Sequence, residues 1–404
     1  MTHELATYDV VIVGGCGHVG LPLGIVLARV GLQVGLLDVD EPVKARVRRG
    51  EMPFLEHGAE PLLRDVIGRT LHVVDGESAV ASAEYLVITI GTPIDEYLNP
   101  RYEPLFELMR GLGPHLRDGQ HVVLRSTVFP GTTRELARHL ESLDLRVHLT
   151  YCPERIAQGY AITELDRLPQ IVSGFTQEGV DGALDLFHRL TDRTIVVDVD
   201  EAELAKLFLN SWRYMQFAIA NQFYMVAEER GLDFFKIHEA MVSGYARAED
   251  FPLPGFTAGP CLLKDTMQLA GSERNAFQLG HAAMLVNEGL PGFIVRRLQD
   301  QFDLRQTTVG ILGMAFKADI DDTRDSLAFK LRKLLIFHGA RVLASDAFAA
   351  DPSFVPPAQL VAESDVIVIG APHTVYQELE FPAGKPMVDV WGLLRREQAP
   401  VDAS

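Results

Sequence analysis

An apolar run that leads into a glycine-rich turn, VIVGGCGHVGLP at residues 11–22, restricts the fold of this chain more than any other segment. Gly15, Gly17 and Gly20 have the spacing G-x-G-x-x-G, with a strand-like pattern before them and a helical pattern after them. Such glycines let the backbone approach a pyrophosphate, and the helix N-terminus stabilises the negative charge of that group. The segment therefore predicts a unit that binds a dinucleotide. A glycine-rich turn without a ligand is the alternative.

The residue that ends the next apolar segment supports the dinucleotide interpretation. Asp38 follows Gly15 by 23 residues and lies in the run QVGLLDVD. A carboxylate at this position can accept hydrogen bonds from an adenosine ribose. Because it would also repel the 2′-phosphate of NADP, the sequence predicts NAD as the cofactor. We expect Cys16, inside the turn, to be a small filler and not a reactant.

Strand and helix patterns alternate at both ends of the chain, whereas the middle is helical. Near the N-terminus the further strand candidates are YLVITIG, HVVLRST and RVHLTYC. Residues 200–231 begin with acids and contain no proline and no internal glycine, which predicts one long helix. From Thr307 the alternation returns, and alternation of this kind predicts parallel sheets. We place the domains at residues 1–199, 200–302 and 303–404.

Charge and cysteine content exclude several classes of function. The formal net charge of −18 argues against a nucleic-acid surface, which needs a basic footprint. Cys16, Cys152 and Cys261 are too few and too scattered for a disulfide framework or a zinc cage, so we expect no metal. No apolar run approaches the ~18 residues that a membrane span needs, and no secretory signal is visible. We therefore expect a protein of the reducing cytoplasm.

The segment AGPCLLKDT, residues 258–266, places a thiol, an amine and a carboxylate close together. Pro260 is typical of the first turn of a helix, which would put Cys261 at the positive end of that helix. Cys261 and Asp265 are four residues apart and would share one face, with the cation of Lys264 nearby. The alternative is an inert buried cysteine beside a surface Lys–Asp pair. With a dinucleotide fold on the same chain, an activated cysteine indicates aldehyde oxidation through a thiohemiacetal and a thioester.

A second pair of polar residues lies on the predicted long helix. Lys206 and Asn210, in AKLFLN, are four residues apart and would also share one face. A lysine there can polarise an oxyanion, and an asparagine can donate a hydrogen bond to it. A solvated lysine and an ordinary helix asparagine are the alternative.

Eight segments follow one another along the chain: VIVGGCGHVGLP, GEMPFLEHGAEPLL, GTPID, STVFPGTT, YCPERIAQG, AELAKLFLN, AGPCLLKD and GILGMAFKADIDDTRDS. In sequence and in order they resemble those of the UDP-glucose/GDP-mannose dehydrogenase family of nucleotide-sugar 6-dehydrogenases. The resemblance implies an α/β fold with two Rossmann-like doubly wound domains, joined by a central helical region with a long helix that usually forms a homodimer. It implies oxidation of the C6 hydroxymethyl group of a UDP-hexose to a carboxylate, with two NAD consumed.

The resemblance also assigns roles to individual residues, with Cys261 as the nucleophile. The other implied catalytic residues are Asp265, Thr127, Lys206, Asn210 and Glu154. The implied cofactor contacts are Gly15, Gly17, His18, Val19, Gly20, Asp38, Thr92 and Thr127. The implied contacts of the nucleotide sugar are Glu154, Lys206, Asn210, Phe256, Gly259, Lys264, Lys317 and Arg324.

The chain departs from one branch of this family at two places. Gln158 stands where that branch has a second glutamate, and an arginine that reaches a neighbouring subunit has no counterpart except Arg395 or Arg396. These departures favour the branch that acts on UDP-N-acetylhexosamines over the glucose branch. Two other functions stay open: a hydroxyacid-type dehydrogenase that removes a single hydride without a cysteine, and a protein that binds NAD and nucleotide sugar without turnover.

Overall fold

The structure, a computed structural model, describes residues 7–92, 95, 101–257, 259–274 and 276–398. The chain divides into two compact units, Met1–Leu209 and Asn210–Ser404. Residues 93 and 94 of the GTPID segment and Ala258 of the cysteine segment lie outside the described residues. Within the described ranges, no helix is both long and apolar enough to span a bilayer.

The first unit contains one eight-stranded sheet in the order β3-β2-β1-β4-β5-β6-β7-β8. All neighbouring strands are parallel except β6 and β7, which are antiparallel. The strands, in chain order, are β1 Val10–Val13, β2 Val34–Leu37, β3 Leu71–Val74, β4 Tyr85–Ile88, β5 His121–Leu124, β6 His148–Tyr151, β7 Gln170–Gly174 and β8 Thr194–Val196.

Helices cover both faces of this sheet. On β1, Val10 and Ile12 pack into one buried cluster, whereas Val11 and Val13 pack into another on the opposite face. A strand buried on both faces needs a continuous apolar sequence, as predicted for this run. The helices are α1 Gly20–Arg29, α2 Glu41–Arg48, α3 Ala59–Val66, α4 Ser78–Ser82, α5 Glu103–Leu112, α6 Thr132–Ser142, α7 Ala161–Glu164 and α8 Gln177–Phe187.

The predicted long helix is confirmed as α9, Val199–Glu229, which has 31 residues. The other helices of the second unit are α10 Phe234–Val242, α11 Leu262–Ser272, α12 Gln278–Gln299, α13 Leu327–Phe337 and α14 Pro357–Glu363. Short 3-10 helices occupy Gly113–His115, Leu304–Gln306, Thr374–Glu378 and Leu393–Gln398.

The second unit also contains a parallel sheet, in the order β10-β9-β11-β12. Its strands are β9 Thr308–Leu312, β10 Arg341–Ser345, β11 Val366–Ile369 and β12 Met387–Val388. The predicted class, two Rossmann-like α/β regions with a long helix between them, is therefore confirmed. The finer domain boundaries after residues 199 and 302 stay a prediction.

Candidate active site

The glycine-rich turn connects β1 to α1, and two of its glycines are required by close backbone packing. A Cβ on Gly15 would lie 2.7 Å from the carbonyl oxygen of Ile12, and one on Gly20 would lie 2.4 Å from that of Gly14. At Gly17 a Cβ would meet only the Gly14 oxygen, at 3.4 Å. The turn is therefore packed against the sheet on one side and open at Gly17, where a ligand can approach the backbone.

The N-terminus of α1 suits a pyrophosphate. Val19 occupies the capping position without a side-chain hydrogen bond, and the first turn of α1 contains no acid. The positive end of the helix dipole therefore lies where it can stabilise an anion, with no acid in the first turn to oppose it. Asp38, at the end of β2, is half-buried and accepts a hydrogen bond from the Cys16 N–H at 2.9 Å. These residues fit NAD, and the predicted ribose contact of Asp38 stays a prediction.

His18 of the same turn is held by side chains from two other segments. Its ring centroid lies 3.9 Å from that of Phe54, and its Nδ1 lies 3.1 Å from the Gln158 amide nitrogen. Gln158 therefore lies beside the glycine-rich turn in the first unit. Because an amide nitrogen only donates, this contact fixes Nδ1 of His18 as the acceptor.

The predicted threonines lie at the carboxyl ends of adjacent strands. Thr92 follows β4 and Thr127 follows β5, and the Thr92 hydroxyl donates to the Thr127 carbonyl oxygen at 2.5 Å. Thr89, which the sequence did not single out, donates to the Val13 carbonyl oxygen at 2.9 Å and so ties β4 to the glycine-rich turn. Strand order reverses between β1 and β4, where ligands of doubly wound sheets bind.

Glu154 is buried in an ion pair with Arg125. The Arg125 Nη2 and the backbone N–H groups of Arg155 and Ile156 donate to its carboxylate. Burial alone would raise the pKa of Glu154, but the Arg125 guanidinium and these N–H donors lower it below its usual value. The ion pair shows that Glu154 positions the end of β6. Its predicted role in the reaction stays a prediction.

The three cysteines differ in environment. Cys16 and Cys152 are buried, and burial raises the pKa of the Cys16 thiol to about 12 and that of Cys152 to about 11. Neither thiol is therefore poised to react. Cys261 is exposed and occupies the N-cap position of α11, where its side chain does not cap the helix N–H groups. Pro260 precedes this cap, so its predicted place in the first helical turn, which begins at Leu262, is wrong.

The predicted partners of Cys261 form a compact group in the second unit. The Asp265 N–H donates to the Cys261 carbonyl oxygen at 2.8 Å. The Asp265 carboxylate is fully buried, with Oδ2 2.5 Å from the Asn210 amide nitrogen and Oδ1 3.0 Å from the Lys264 Nζ. Lys206 lies one turn before Asn210 on α9. The carboxylate is therefore paired with the Lys264 ammonium and hydrogen-bonded by the Asn210 amide, one helical turn after Cys261.

A loop after β9, residues 316–325, contacts the cysteine turn. The Gly259 N–H donates to the Asp325 carbonyl oxygen at 3.4 Å, and a Cβ on Gly259 would lie 2.6 Å from the Phe316 ring. Asp322 accepts hydrogen bonds from Arg324, which raise the pKa of that guanidinium, and the Cys261 thiolate contributes in the same direction. Arg324 and the thiol are thus close enough to interact electrostatically.

Two further predicted residues have other partners. Phe256 is 3% exposed and packs in the core of the second unit, so a substrate contact there would come from its backbone. The Arg395 Nη1 lies 2.6 Å from both carboxylate oxygens of Asp233, and its guanidinium lies 4.9 Å from the Phe235 ring centroid. Arg395 therefore has partners within its own chain. The side chain of Arg396 lies outside the described residues.

Three domain models of one family match successive parts of the chain. In the UDP-glucose/GDP-mannose dehydrogenase family, the NAD binding domain matches residues 9–191, the central domain residues 200–289 and the UDP binding domain residues 310–396. The chain belongs to this family. As a UDP-glucose/GDP-mannose dehydrogenase family member, it is an NAD-dependent oxidoreductase that acts on a nucleotide sugar.

Individual members of the family are similar along almost the whole chain. The UDP-N-acetyl-D-mannosamine dehydrogenase of Methanocaldococcus jannaschii is 28% identical over 382 residues, which cover 91% of this chain and 86% of that protein. A UDP-glucose dehydrogenase structure from Pyrobaculum islandicum has a TM-score of 0.89 at 24% identity, with 99% and 98% coverage. The UDP-D-ManNAc dehydrogenase structure from Pyrococcus horikoshii has a TM-score of 0.87 at 24% identity, with 94% and 98% coverage. At these identities the two structures show the shared fold alone.

Several residues of the two sites were missed by sequence reasoning. Arg125 and Phe54 contact the predicted Glu154 and His18, and Thr89 holds the start of the glycine-rich turn. Phe54 lies in the family segment GEMPFLEHGAEPLL, but nothing in the sequence marked it or the other two as neighbours of the site. Asp346 and His373, described below, also escaped notice. An acid directly after a strand was a usable signal for Asp346, because Asp38 has the same position relative to β2.

Proposed function

We propose that the protein oxidises the C6 hydroxymethyl group of a UDP-N-acetylhexosamine to a carboxylate, through a covalent intermediate on Cys261. The observation that carries the proposal is the exposed Cys261 at the N-terminus of α11, with the buried Asp265–Lys264–Asn210 group one turn away. A helix N-terminus and a nearby cation both favour the thiolate, which is the nucleophilic form.

The glycine-rich turn, Asp38 and the N-terminus of α1 would hold the cofactor. NAD, when bound, supplies the hydride acceptor, and one NAD is used for each of the two hydrides that leave C6. The first oxidation also removes the hydroxyl proton and develops negative charge on O6. Lys206 and Asn210 would stabilise that charge, because an ammonium and an amide both donate hydrogen bonds to an oxyanion.

Cys261 then retains the half-oxidised sugar. Its thiolate adds to the aldehyde carbon, so that a C–S bond forms and the thiohemiacetal oxygen takes a proton. Loss of that proton with the second hydride leaves a thioester. Water adds to the thioester carbon and the C–S bond breaks. One proton of the water passes to the activating base and the other to solvent, so that the product leaves as a carboxylate and Cys261 is restored as a thiolate.

Water activation is assigned to Asp265 with Thr127. Gln158 has no ionisable group and lies beside His18, so its amide cannot serve as the base. Glu154 has its carboxylate occupied by Arg125 and two backbone N–H groups. The Asp265 carboxylate is also held, by Lys264 and Asn210, but it lies one helical turn after Cys261 on α11, and we favour it for that reason.

The names of the similar proteins support an acetamido sugar as the substrate of this protein. Besides the mannosamine enzyme of Methanocaldococcus jannaschii, an NDP-N-acetyl-D-galactosaminuronic acid dehydrogenase of Ralstonia nicotianae is 25% identical over 391 residues. A panel of UDP-N-acetylmannosamine, its gluco and galacto isomers, and UDP-glucose, assayed for NADH release, tests this choice. Preference for UDP-glucose would contradict it.

The homodimer and the cytoplasmic location also belong to this proposal. On α9 four large apolar residues lie along one side with about half or slightly less of their surface exposed: Trp212 53%, Ile219 43%, Phe223 45% and Val226 40%. An exposed apolar stripe on a helix favours association with a second copy. Light scattering on the wild type and on Trp212→Glu tests the dimer, which the substitution should weaken.

The thiol is tested by substitution and by stoichiometry. We expect Cys261→Ser to abolish acid formation while NAD still binds, because serine is not ionised by these neighbours. Cys152→Ala, which removes a buried thiol, should retain acid formation and serves as the control. The wild type should release two NADH per acid. One NADH per substrate, or an active Cys261→Ser variant, would contradict the covalent route and favour the hydroxyacid-type reaction.

A further inference from the structure

The loop of residues 316–325 is fixed at several points in the second unit. The Phe316 N–H donates to the Asp322 carbonyl oxygen at 3.0 Å and closes the loop on itself. Ile320, within the loop, is fully buried and anchors it. Lys317 and Arg324, the predicted contacts of the nucleotide sugar, are therefore presented by a loop whose position depends on its attachments.

One attachment comes from a fully buried histidine between two segments. The Asp319 N–H donates to the His373 Nδ1 at 2.8 Å, and the His373 Nε2 lies 3.1 Å from the Asp346 Oδ2. Both the His373 and the Asp346 side chains are 0% exposed. Since Nδ1 accepts, Nε2 carries the proton and donates to Asp346. The imidazole thus connects the loop to the end of β10.

Asp346 is itself held rigidly. Its Oδ2 accepts from the N–H groups of Met314 and Ala315 at 2.6 and 2.8 Å, and its Oδ1 accepts from those of Phe348 and Ala349. Burial alone would raise the pKa of Asp346, but the His373 hydrogen bond and these N–H donors lower it to about 2. The carboxylate is a fixed anion to which the imidazole is anchored.

We propose that His373 is a positioning residue for nucleotide-sugar binding, because it fixes the loop that carries Lys317 and Arg324. The inference rests on the proposed function and assigns a residue that touches neither substrate nor cofactor. Through the Gly259–Asp325 hydrogen bond, the same loop also supports the turn that carries Cys261. His373 therefore acts on both ends of the sugar-nucleotide site.

Two substitutions separate the two hydrogen bonds of the imidazole. In His373→Asn the amide oxygen lies near the position of Nδ1, so the bond to the loop is kept and the bond to Asp346 is lost. In His373→Gln the amide nitrogen lies near the position of Nε2, so the bond to Asp346 is kept and the loop is released. Both variants lose one buried hydrogen bond, so both should lower the melting temperature by a similar amount.

The readouts are UDP and NAD affinity by calorimetry and the KM for the UDP-sugar. We expect His373→Gln to weaken UDP binding about tenfold and to raise the KM equally, as loss of one buried hydrogen bond can do. His373→Asn should change UDP affinity by less than about threefold. The NAD affinity should stay unchanged in both. Equal UDP affinities in the two variants, or a loss of NAD affinity that matches the loss of UDP affinity, would overturn the inference.

A third variant keeps the inference testable if the buried substitutions prevent folding. The Asp319 Oδ1 accepts from the Thr374 N–H at 2.8 Å and from its hydroxyl at 3.2 Å. In Asp319→Gly the backbone φ of 55° is unstrained, the side-chain bonds to Thr374 are lost, and the backbone N–H that donates to His373 is kept. UDP affinity should fall about threefold, and an unchanged affinity would count against a role for loop position. UDP binding is measured without turnover, so a wild type that binds UDP but oxidises no UDP-sugar contradicts the proposed function alone.

Discussion

The two α/β units build the turn after their first central strand in the same way. Gly14 follows β1 with a φ of 74°, and Gly313 follows β9 with a φ of 91°. The Gly14 N–H donates to the Leu37 carbonyl oxygen at 2.9 Å, and the Gly313 N–H donates to that of Ser345 at 2.8 Å. Each turn is therefore joined to the end of the neighbouring strand by an equivalent hydrogen bond.

The acid after the neighbouring strand has different surroundings in the two units. Asp38 is half-buried and accepts one N–H from the glycine-rich turn, that of Cys16. Asp346 is fully buried, accepts both N–H groups of residues 314–315, and pairs with His373. The turn of the second unit thus donates the N–H groups of residues 314 and 315 to Asp346. In the first unit, Asp38 and the N-terminus of α1 lie at a half-open site.

The turn after β9 in the second unit is also packed more closely by its neighbours than the glycine-rich turn of the first unit. A Cβ on Gly313 would lie 2.4 Å from the Ala371 nitrogen, and one on Gly370 would lie 2.3 Å from the Gly313 oxygen. On Gly14, the counterpart of Gly313, a Cβ would lie 3.2 Å from its nearest atom, and on Gly17 it would lie 3.4 Å away. The comparison teaches that strand order alone does not make a dinucleotide site. Room beside the turn is also needed, and the second unit instead offers the loop that follows its turn.

The largest expected effect comes from the same substitution in the two acids. Asp346→Asn places an amide N–H against backbone N–H donors in a buried site and should destabilise the second unit by about 3 kcal/mol. At roughly 2–4 °C per kcal/mol, its melting temperature should fall by roughly 10 °C. Asp38→Asn, in a half-open site, should cost about 1 kcal/mol or less but should weaken NAD binding. Equal losses of stability in the two variants, measured by calorimetry, would break the comparison.

A smaller loss of stability is expected when the pH is lowered. The pKa of Asp346 is lowered to about 2 in the folded chain from 3.8. A lowered pKa stabilises the folded state above the unfolded value, so this contribution of about 2 kcal/mol is complete above about pH 4 and is lost as the pH falls towards 2. Melting temperatures between pH 2 and 5 should show this loss for the wild type. In Asp346→Asn that part of the pH dependence should be missing, and an unchanged profile would contradict the assignment.

Sequence reasoning predicted the parts of the fold that depend on local pattern. β1, β2 and α9 have a continuous apolar or helical pattern, because β1 and most of β2 are buried in the sheet and nothing breaks α9. Strands β3, β7 and β8 were not predicted. The exposed Ile195 and Val196 of β8, at the sheet edge, have no alternation to mark them. Their pairing with the rest of the sheet is a long-range property.

The candidate sites follow the same division. Gly17, Asp38 and Cys261 were predicted because their chemistry needs a fixed spacing along the chain. The Arg125–Glu154 pair and the His373–Asp346 pair join residues 29 and 27 positions apart, and no spacing rule connects them. The family resemblance predicted that Glu154 matters, but only the fold shows that a buried arginine holds it.

The finest test of the comparison is one methyl group on the open turn. Gly17→Ala should leave stability almost unchanged, because its Cβ meets only the Gly14 oxygen at 3.4 Å. The methyl group would occupy the side from which a pyrophosphate approaches, so NAD affinity should fall about tenfold. Gly289→Ala on α12 has no atom within 4 Å of its Cβ and is the matched control, which should keep wild-type NAD affinity. Both affinities are measured by calorimetry with NAD alone. If Gly17→Ala binds NAD as tightly as Gly289→Ala does, the open face of the first turn is not where the cofactor lies.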